Sequence, residues 1–154
     1  MDTKIGARAD VLQNGTELFV VVYEGGTAGT VILSTYSYTP QTYSLVGAPV
    51  SQGLGSGLET VVTIAKENNS TKLWIAYEVG TNIYARSSPD WLPPSTPLST
   101  ASVKNEDIAA VVAFADKIGV LWSDHIADRF LFRVHENGQP DENWGAAETV
   151  AQGG

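Results

Sequence analysis

Short apolar runs alternate with polar turns along the whole chain, and this pattern gives the first expectation about the fold. The runs are rich in Val, Ile, Tyr and Trp and are separated by Gly, Pro, Asn and Asp. β-Branched and aromatic residues favour strands, whereas the separating residues favour turns. No segment keeps an apolar stripe with a period of 3.6 residues over three turns. The pattern therefore predicts a chain made almost entirely of β-strands.

The runs recur as an internal repeat with a period of about 50 residues. Four runs follow one another in the same order in each of three copies, and each run is predicted to be one strand. The first runs cover 9–12, 60–64 and 110–114, with Val11, Val62 and Val112 at matching positions. The second runs cover 18–24, 73–78 and 118–124, and the third cover 31–36, 83–87 and 130–134. The fourth, weaker runs cover 47–50, 95–98 and 146–150.

The repeat predicts an all-β fold of three four-stranded antiparallel propeller blades, which is half of a propeller. A four-stranded sheet cannot cover both of its faces alone, and radial stacking of sheets buries face against face. Pro49 and Pro97 lie in fourth runs, and proline suits an outer edge strand because it lacks the N–H donor. The alternatives are a β-sandwich or a β-solenoid, although a sandwich is not expected to repeat at this period. One module, 1–154, is expected, with blades at about 5–53, 57–102 and 106–152.

The end of the third copy carries a recognisable motif. Segment 132–150, which reads FRVHENGQPDENWGAAETV, resembles an Asp-box repeat, in which a strand ends in Ser-x-Asp-x-Gly-x-x-Trp and an outer strand follows. Segment 87–97 resembles a shortened version, and the first copy keeps only Tyr43 near the Trp position. The resemblance points to the sialidase-like propeller superfamily, which contains enzymes, lectins and non-catalytic modules. It implies that the Asp-box residues fix a turn rather than bind a ligand. They are Asp90, Trp91, Asp141 and Trp144.

Sialidase chemistry is the enzymatic alternative that this resemblance raises. The family's enzymes hold a carboxylate with three inner-strand arginines and use a tyrosine–glutamate pair and an aspartate acid/base. Only Arg8 lies near an inner strand here, whereas Arg86 and Arg133 lie in third runs. The catalytic set cannot be matched residue by residue, and no catalytic residue is assigned. A non-catalytic module for binding or assembly is therefore the preferred interpretation, with a sialidase-like glycoside hydrolase as the alternative.

A candidate binding site lies at the ends of the second strands, where an aromatic residue is followed by an acid. Equivalent positions on successive blades fall on one rim, so these residues would form an acidic, aromatic mouth. Carboxylates beside aromatic rings suit a cation or sugar hydroxyls, and a glycan is the candidate ligand. The alternative is that a polar residue simply ends each strand. The predicted mouth consists of Tyr23, Glu24, Tyr77, Glu78, Trp122, Asp124 and His125.

Charge and composition narrow the classes of partner. The formal net charge is −8, which argues against nucleic acid and anionic membranes as partners. Hydrophobic residues make up 43% of the chain, which allows a packed core. There is no cysteine, and two histidines without a ligand spacing predict no metal site; no cofactor is predicted either. The polar N-terminus predicts no signal peptide and a soluble protein, without indicating a compartment.

Three blades leave one apolar face open at each end of the arc. Large exposed apolar faces mark interaction sites. Two arcs related by a twofold axis would close a ring of six blades, so the sequence predicts a homodimer. The alternative is that the chain is a segment of a longer propeller, in which the remaining blades cover these faces.

Overall fold

Twelve β-strands and no helix are found in the part of the chain that the computed structural model describes, residues 9–24, 29–53, 61–92, 96–99 and 107–153. None of these described residues belongs to a helix that could span a membrane. The strands of the first third are β1 Ala9–Asn14, β2 Glu17–Glu24, β3 Thr30–Thr39, β4 Thr42–Leu45 and β5 Val50–Gly53. The middle strands are β6 Val62–Lys66, β7 Leu73–Val79 and β8 Asn82–Ser87. The last are β9 Ala109–Phe114, β10 Lys117–Asp124, β11 Arg129–Glu136 and β12 Glu148–Gln152.

The strands form three antiparallel sheets, one for each copy of the repeat. The prediction of an all-β chain is confirmed, whereas the prediction of four strands in every sheet is wrong for two of them. The first sheet has five strands, because β4 and β5 pair with different halves of the ten-residue β3. Among the described residues, the second sheet consists of β6, β7 and β8. The third sheet has the predicted four strands, in the order β12-β11-β10-β9.

The fourth runs account for these differences. In the first copy the strand begins at Val50, the last residue of the predicted run, and the hairpin strand β4 precedes it. In the second copy the described residues 96–98 are not a strand, and a single backbone hydrogen bond, from Leu98 N to Ile83 O, connects them to β8. Pro97 cannot donate to a ladder, which weakens strand pairing here. In the third copy the strand lies two residues later than predicted, at Glu148–Gln152.

The three sheets stack in chain order, with their first strands side by side. β6 lies between β1 and β9, so the second sheet is covered on both faces. The core between the first and second sheets, here called the first joint, includes Phe19, Val21, Ile75 and Tyr77. The core between the second and third sheets, here called the second joint, includes Trp74, Ile83, Ile118, Val120 and Trp122. Every residue of β7 except Val79 is buried as a result.

A side-chain oxygen ties neighbouring first strands together at each joint. Asp10 Oδ2 accepts a hydrogen bond from Ile64 N at 3.0 Å, and Thr63 Oγ1 accepts one from Val111 N at 2.9 Å. These donors lie on strands that are not paired by a backbone ladder across the joint. Each bond therefore satisfies an N–H group that the sheet itself leaves without a partner.

These bonds also define which residues of the three copies are equivalent. Val11 pairs with Val20, Ile64 with Ile75 and Val111 with Val120, so Val11, Ile64 and Val111 occupy one position. The predicted match of Val11 with Val62 and Val112 is therefore wrong by two residues in the second copy and by one in the third. The β6–β7 connection is longer than the other two hairpin turns, which accounts for the shift in the second copy.

Replacing Thr63 by Val tests the link at the second joint. The substitution keeps the side-chain shape but leaves Val111 N without its acceptor, so we expect the free energy of unfolding to fall by about 1–2 kcal/mol. Denaturant titration measures this change. Thr42→Val, at an exposed position of β4, is the control and should change stability by less than about 0.5 kcal/mol. Equal effects of the two substitutions would contradict a role for the bond.

Candidate functional site

The aromatic residues of the predicted mouth lie inside the two cores. Tyr23 and Tyr77 are 3% and 1% exposed and share the first joint, whereas Trp122 is 2% exposed and belongs to the second joint. Tyr23 faces the second sheet and Tyr77 faces the first, so these two residues are not equivalent positions of successive sheets. The three rings therefore contribute to packing between sheets.

Tyr77 is held by an arginine of the neighbouring strand. Its hydroxyl oxygen accepts a hydrogen bond from Arg86 Nε at 2.6 Å, and its ring stacks on Tyr84 with centroids 5.8 Å apart. Burial raises the pKa of the Tyr77 hydroxyl and outweighs the charge and hydrogen bond of Arg86, which lower it. Arg86 Nη1 also donates to the carbonyls of Gly53 and Trp91, both at 3.4 Å. The Arg86 guanidinium therefore links the second sheet to the first.

The acidic residues of the predicted mouth are equally enclosed. Glu78 and Asp124 are each 1% exposed. Asp124 accepts hydrogen bonds from Arg129 Nε at 3.0 Å and from Ala127 N at 3.1 Å, so its carboxylate holds the turn between β10 and β11. The side chain of Glu24 lies outside the described residues.

His125 is the exposed member of the predicted mouth among the residues whose side chains are described. Its backbone N–H donates to Asp107 Oδ1 at 3.0 Å, which attaches the β10–β11 turn to the segment preceding β9. Ligand binding by this rim stays a prediction.

The turn between β11 and β12 reaches across the second joint. The Asp141 carboxylate accepts hydrogen bonds from Lys72 and from Ser87 of the second sheet. Trp144 Nε1 donates to Asp141 O at 2.9 Å, and the Trp144 ring packs edge-on against Trp74 with centroids 5.6 Å apart. Asp141 and Trp144 therefore attach the turn to the neighbouring sheet.

Asp141 is also one of the titrating groups whose pKa the fold displaces. Partial burial alone would raise the pKa of the Asp141 carboxyl, but the hydrogen bonds from Lys72 and Ser87 and the Lys72 charge outweigh it. The net result is a pKa below the ordinary value of 3.8. The carboxylate is therefore ionised at neutral pH and holds its two donors.

A cleft of about 550 Å³ opens beside this clamp, between the second and third sheets. Its walls include Lys72, Arg86, Asp90 and Asp141, with Trp74 behind them. Lys72 and Asp141 bind each other, and Arg86 bonds to Tyr77 and to backbone carbonyls. The charged groups in the walls are thus mostly engaged in holding the two sheets together.

The first sheet turns an apolar face away from the second sheet. We call this the first outward face. The residues alternate with those of the first joint along β1, β2 and β3, and most are half-buried, whereas Val11 is 54% exposed. The face consists of Ala9, Val11, Leu18, Val20, Val22, Ile32, Ser34 and Tyr36.

The third sheet presents a comparable face at the opposite end of the stack. We call this the third outward face. Val112 is 47% exposed there, and Phe114 and Phe130 are exposed as well. The face consists of Ala110, Val112, Phe114, Gly119, Leu121, Phe130, Phe132 and Val134.

Charged residues border these apolar positions: Glu148 of the edge strand β12 pairs with Phe132 of the third outward face. The ion pair between Lys117 Nζ and Glu136 Oε1, at 2.6 Å, lies at the edge of the third outward face beside the hairpin turn. A contiguous apolar patch with a polar rim is typical of a surface that binds another protein. The repeat predicts open end faces but not their residues, because these depend on which face of each sheet meets a neighbouring sheet.

Compared with family models, curated proteins and solved structures, the chain matches none of them. Its function must therefore be inferred from its own geometry.

Replacing Asp141 by Asn tests the clamp at the second joint. Because folding lowers the Asp141 pKa, the ionised carboxylate stabilises the fold above pH 3.8, and this contribution is lost as pH falls through the lowered pKa. We expect Asp141→Asn to lower the free energy of unfolding at pH 6.5 by less than about 1 kcal/mol, since the pair is half-exposed. In urea titrations the difference from wild type should shrink as the pH is lowered progressively below 3.8.

Glu142→Gln is the matched control for this prediction, because Glu142 is the neighbouring exposed acid of the same turn. It should show no comparable loss at pH 6.5. A pH-independent difference between wild type and Asp141→Asn would show that the carboxylate charge does not stabilise the joint.

Proposed function

We propose that the chain is a non-catalytic β-propeller module that works by assembly. In this proposal each sheet is one blade, and the two outward faces are the surfaces on which further blades dock. The side-by-side packing of β1, β6 and β9 supports a radial arrangement, in which first strands surround the axis. A concavity of about 460 Å³ lies along these three strands, as expected of one side of an axial channel.

The apolar outward faces carry the proposal. At both joints, apolar faces of adjacent sheets are buried against each other, and the outward faces continue the same alternation without a sheet in front. Burying apolar surface contributes about 25 cal/mol per Å². Covering a face of this composition with a further sheet therefore lowers the free energy of the system.

A second copy of the chain is the proposed partner. Three blades and three more make six, and a ring of six has no open end. The resulting homodimer covers both outward faces of each copy in one step. Closure of this kind limits the assembly to a defined size.

The glycoside hydrolase alternative receives no support from the described residues that it would need. Arg86 bonds to Tyr77 and to backbone carbonyls within the first joint, and Arg133 Nη1 donates to Leu98 O at 2.9 Å. Both guanidinium groups thus connect neighbouring sheets. Tyr77 is buried between the first and second sheets. Binding of a glycan by the rim near His125 is compatible with assembly and is a secondary part of the proposal.

Solution mass tests the assembly function directly. We expect light scattering on a sizing column to give twice the chain mass of 16.4 kDa at micromolar concentration. The double variant Val11→Lys/Val112→Lys places a cation on each outward face and should run as a folded monomer, because docking would bury unpaired charges. Circular dichroism checks that the variant remains folded.

Leu92→Lys is the matched control, because Leu92 is 70% exposed but follows β8 of the second sheet, which carries neither outward face. It should retain the dimer mass. A wild-type chain that stays monomeric up to millimolar concentration would overturn the assembly function.

A further inference from the structure

Each joint has two sides, and the sides differ. The earlier sheet in the chain contributes one face and the later sheet contributes the opposite face. The first outward face corresponds to the later-sheet side, and the third outward face corresponds to the earlier-sheet side. This follows because the faces alternate along every strand, and the pairing register identifies equivalent positions.

The later-sheet side is apolar at the same positions in all three sheets. Val20, Ile75 and Val120 are equivalent, and so are the residues two positions before and after them. At the joints these positions are buried, whereas on the first sheet they form the outward face. In the order of the three sheets, the equivalent sets are Leu18, Leu73 and Ile118; Val20, Ile75 and Val120; and Val22, Tyr77 and Trp122.

The earlier-sheet side carries a large ring at one place in every sheet. In the first and second sheets this is Phe19 and Trp74, both on the second strand. The equivalent residue of the third sheet is Gly119, and a Cβ atom there would lie 2.1 Å from Cζ of Phe132. The Phe132 ring thus occupies the space over Gly119. The third outward face therefore presents a ring where both joints have one.

We infer, on the basis of the proposed assembly function, that the second copy docks head to tail, with the first outward face of each copy on the third outward face of the other. The joint between copies then repeats the two joints within the chain. Such a heterologous contact gives a closed ring when its rotation matches, and a joint that repeats the internal ones has the same rotation as they have. Ser34 makes this joint weaker than the internal ones.

Ser34 stands where both internal joints carry an arginine. It pairs with Val20, as Arg86 pairs with Ile75 and Arg133 with Val120. Each arginine reaches back to a carbonyl at the outer part of the preceding sheet, Gly53 O for Arg86 and Leu98 O for Arg133. A serine is too short for this bond. The joint between copies consequently lacks a charge-assisted hydrogen bond and opens more readily than the sheets unfold.

A charge-swap mixing experiment tests the head-to-tail geometry. Val11→Lys alone and Val112→Glu alone should each be monomeric, with a dissociation constant raised more than about tenfold, because every joint would bury one unpaired charge. Mixed in equal amounts, they should form a dimer on the sizing column, since one joint is wild type and the other pairs Lys with Glu.

A dimer in which the first outward face binds the first, or the third binds the third, predicts a different outcome. Val11→Lys would then still dimerise through its unchanged third outward face, and Val112→Glu would dimerise through its first. A dimer of either single variant, with a dimeric wild type, overturns the head-to-tail geometry while leaving the assembly function intact. A monomeric wild type overturns both.

Ser34→Arg tests the missing clamp as a gain of affinity. The added guanidinium should reach an outer carbonyl of the partner's third sheet and lower the dissociation constant about tenfold by sedimentation velocity. Ser44→Arg adds the same charge on the exposed strand β4 and should leave the constant unchanged. Equal constants for wild type and Ser34→Arg would overturn the role assigned to Ser34.

Discussion

A β-sheet has two faces, and the rest of this structure depends on how each apolar face is covered. The second sheet is covered on both sides, which makes β7 almost fully buried. Within the described part of the chain, the first and third sheets are each covered on one side only, so their outward faces are partly exposed although their residues match those of the joints. Transfer of apolar surface out of water is the main favourable term in the free energy of association. Covering these faces would therefore contribute most to that free energy in the proposed assembly.

Polar groups make the packing of the sheets specific. Asp10 and Thr63 each bind a backbone N–H of the next first strand, and Arg86 and Arg133 each bind a carbonyl of the preceding sheet. Asp141 adds a carboxylate clamp at the second joint. Apolar faces alone would slide across one another at little cost, whereas these directional bonds are made in one register only. The proposed joint between copies has the apolar faces without the arginine, which suits a contact that forms and opens reversibly.

An aromatic residue close to an acid in the sequence does not by itself form a binding site in this structure. Tyr23, Tyr77 and Trp122 are followed closely by acids in the sequence, yet all three rings are enclosed between sheets. Residues that are adjacent along a strand point to opposite faces, so an aromatic–acid pair need not share a site. Asp124 is similarly occupied by Arg129 and a backbone N–H of its own turn. The residues that matter for the proposed function, Val11 and Val112 among them, carry no chemical signature and are distinguished only by lacking a neighbour.

Local alternation of apolar and polar residues determined that the chain forms β-strands, where most of them lie, and that the pattern occurs three times. These properties depend on a period of two within a strand and on turn residues between strands, both of which are readable from neighbouring positions. Tertiary structure alone decided the hairpin strand β4, the absence of a strand at 96–98, the shifted register of Ile64 and Val111, and the burial of Tyr77. The strand β4 pairs with nearby residues of β3, through a turn that the alternation did not reveal. The other three features depend on packing and hydrogen bonds between sheets, which select one register among several that the local pattern allows.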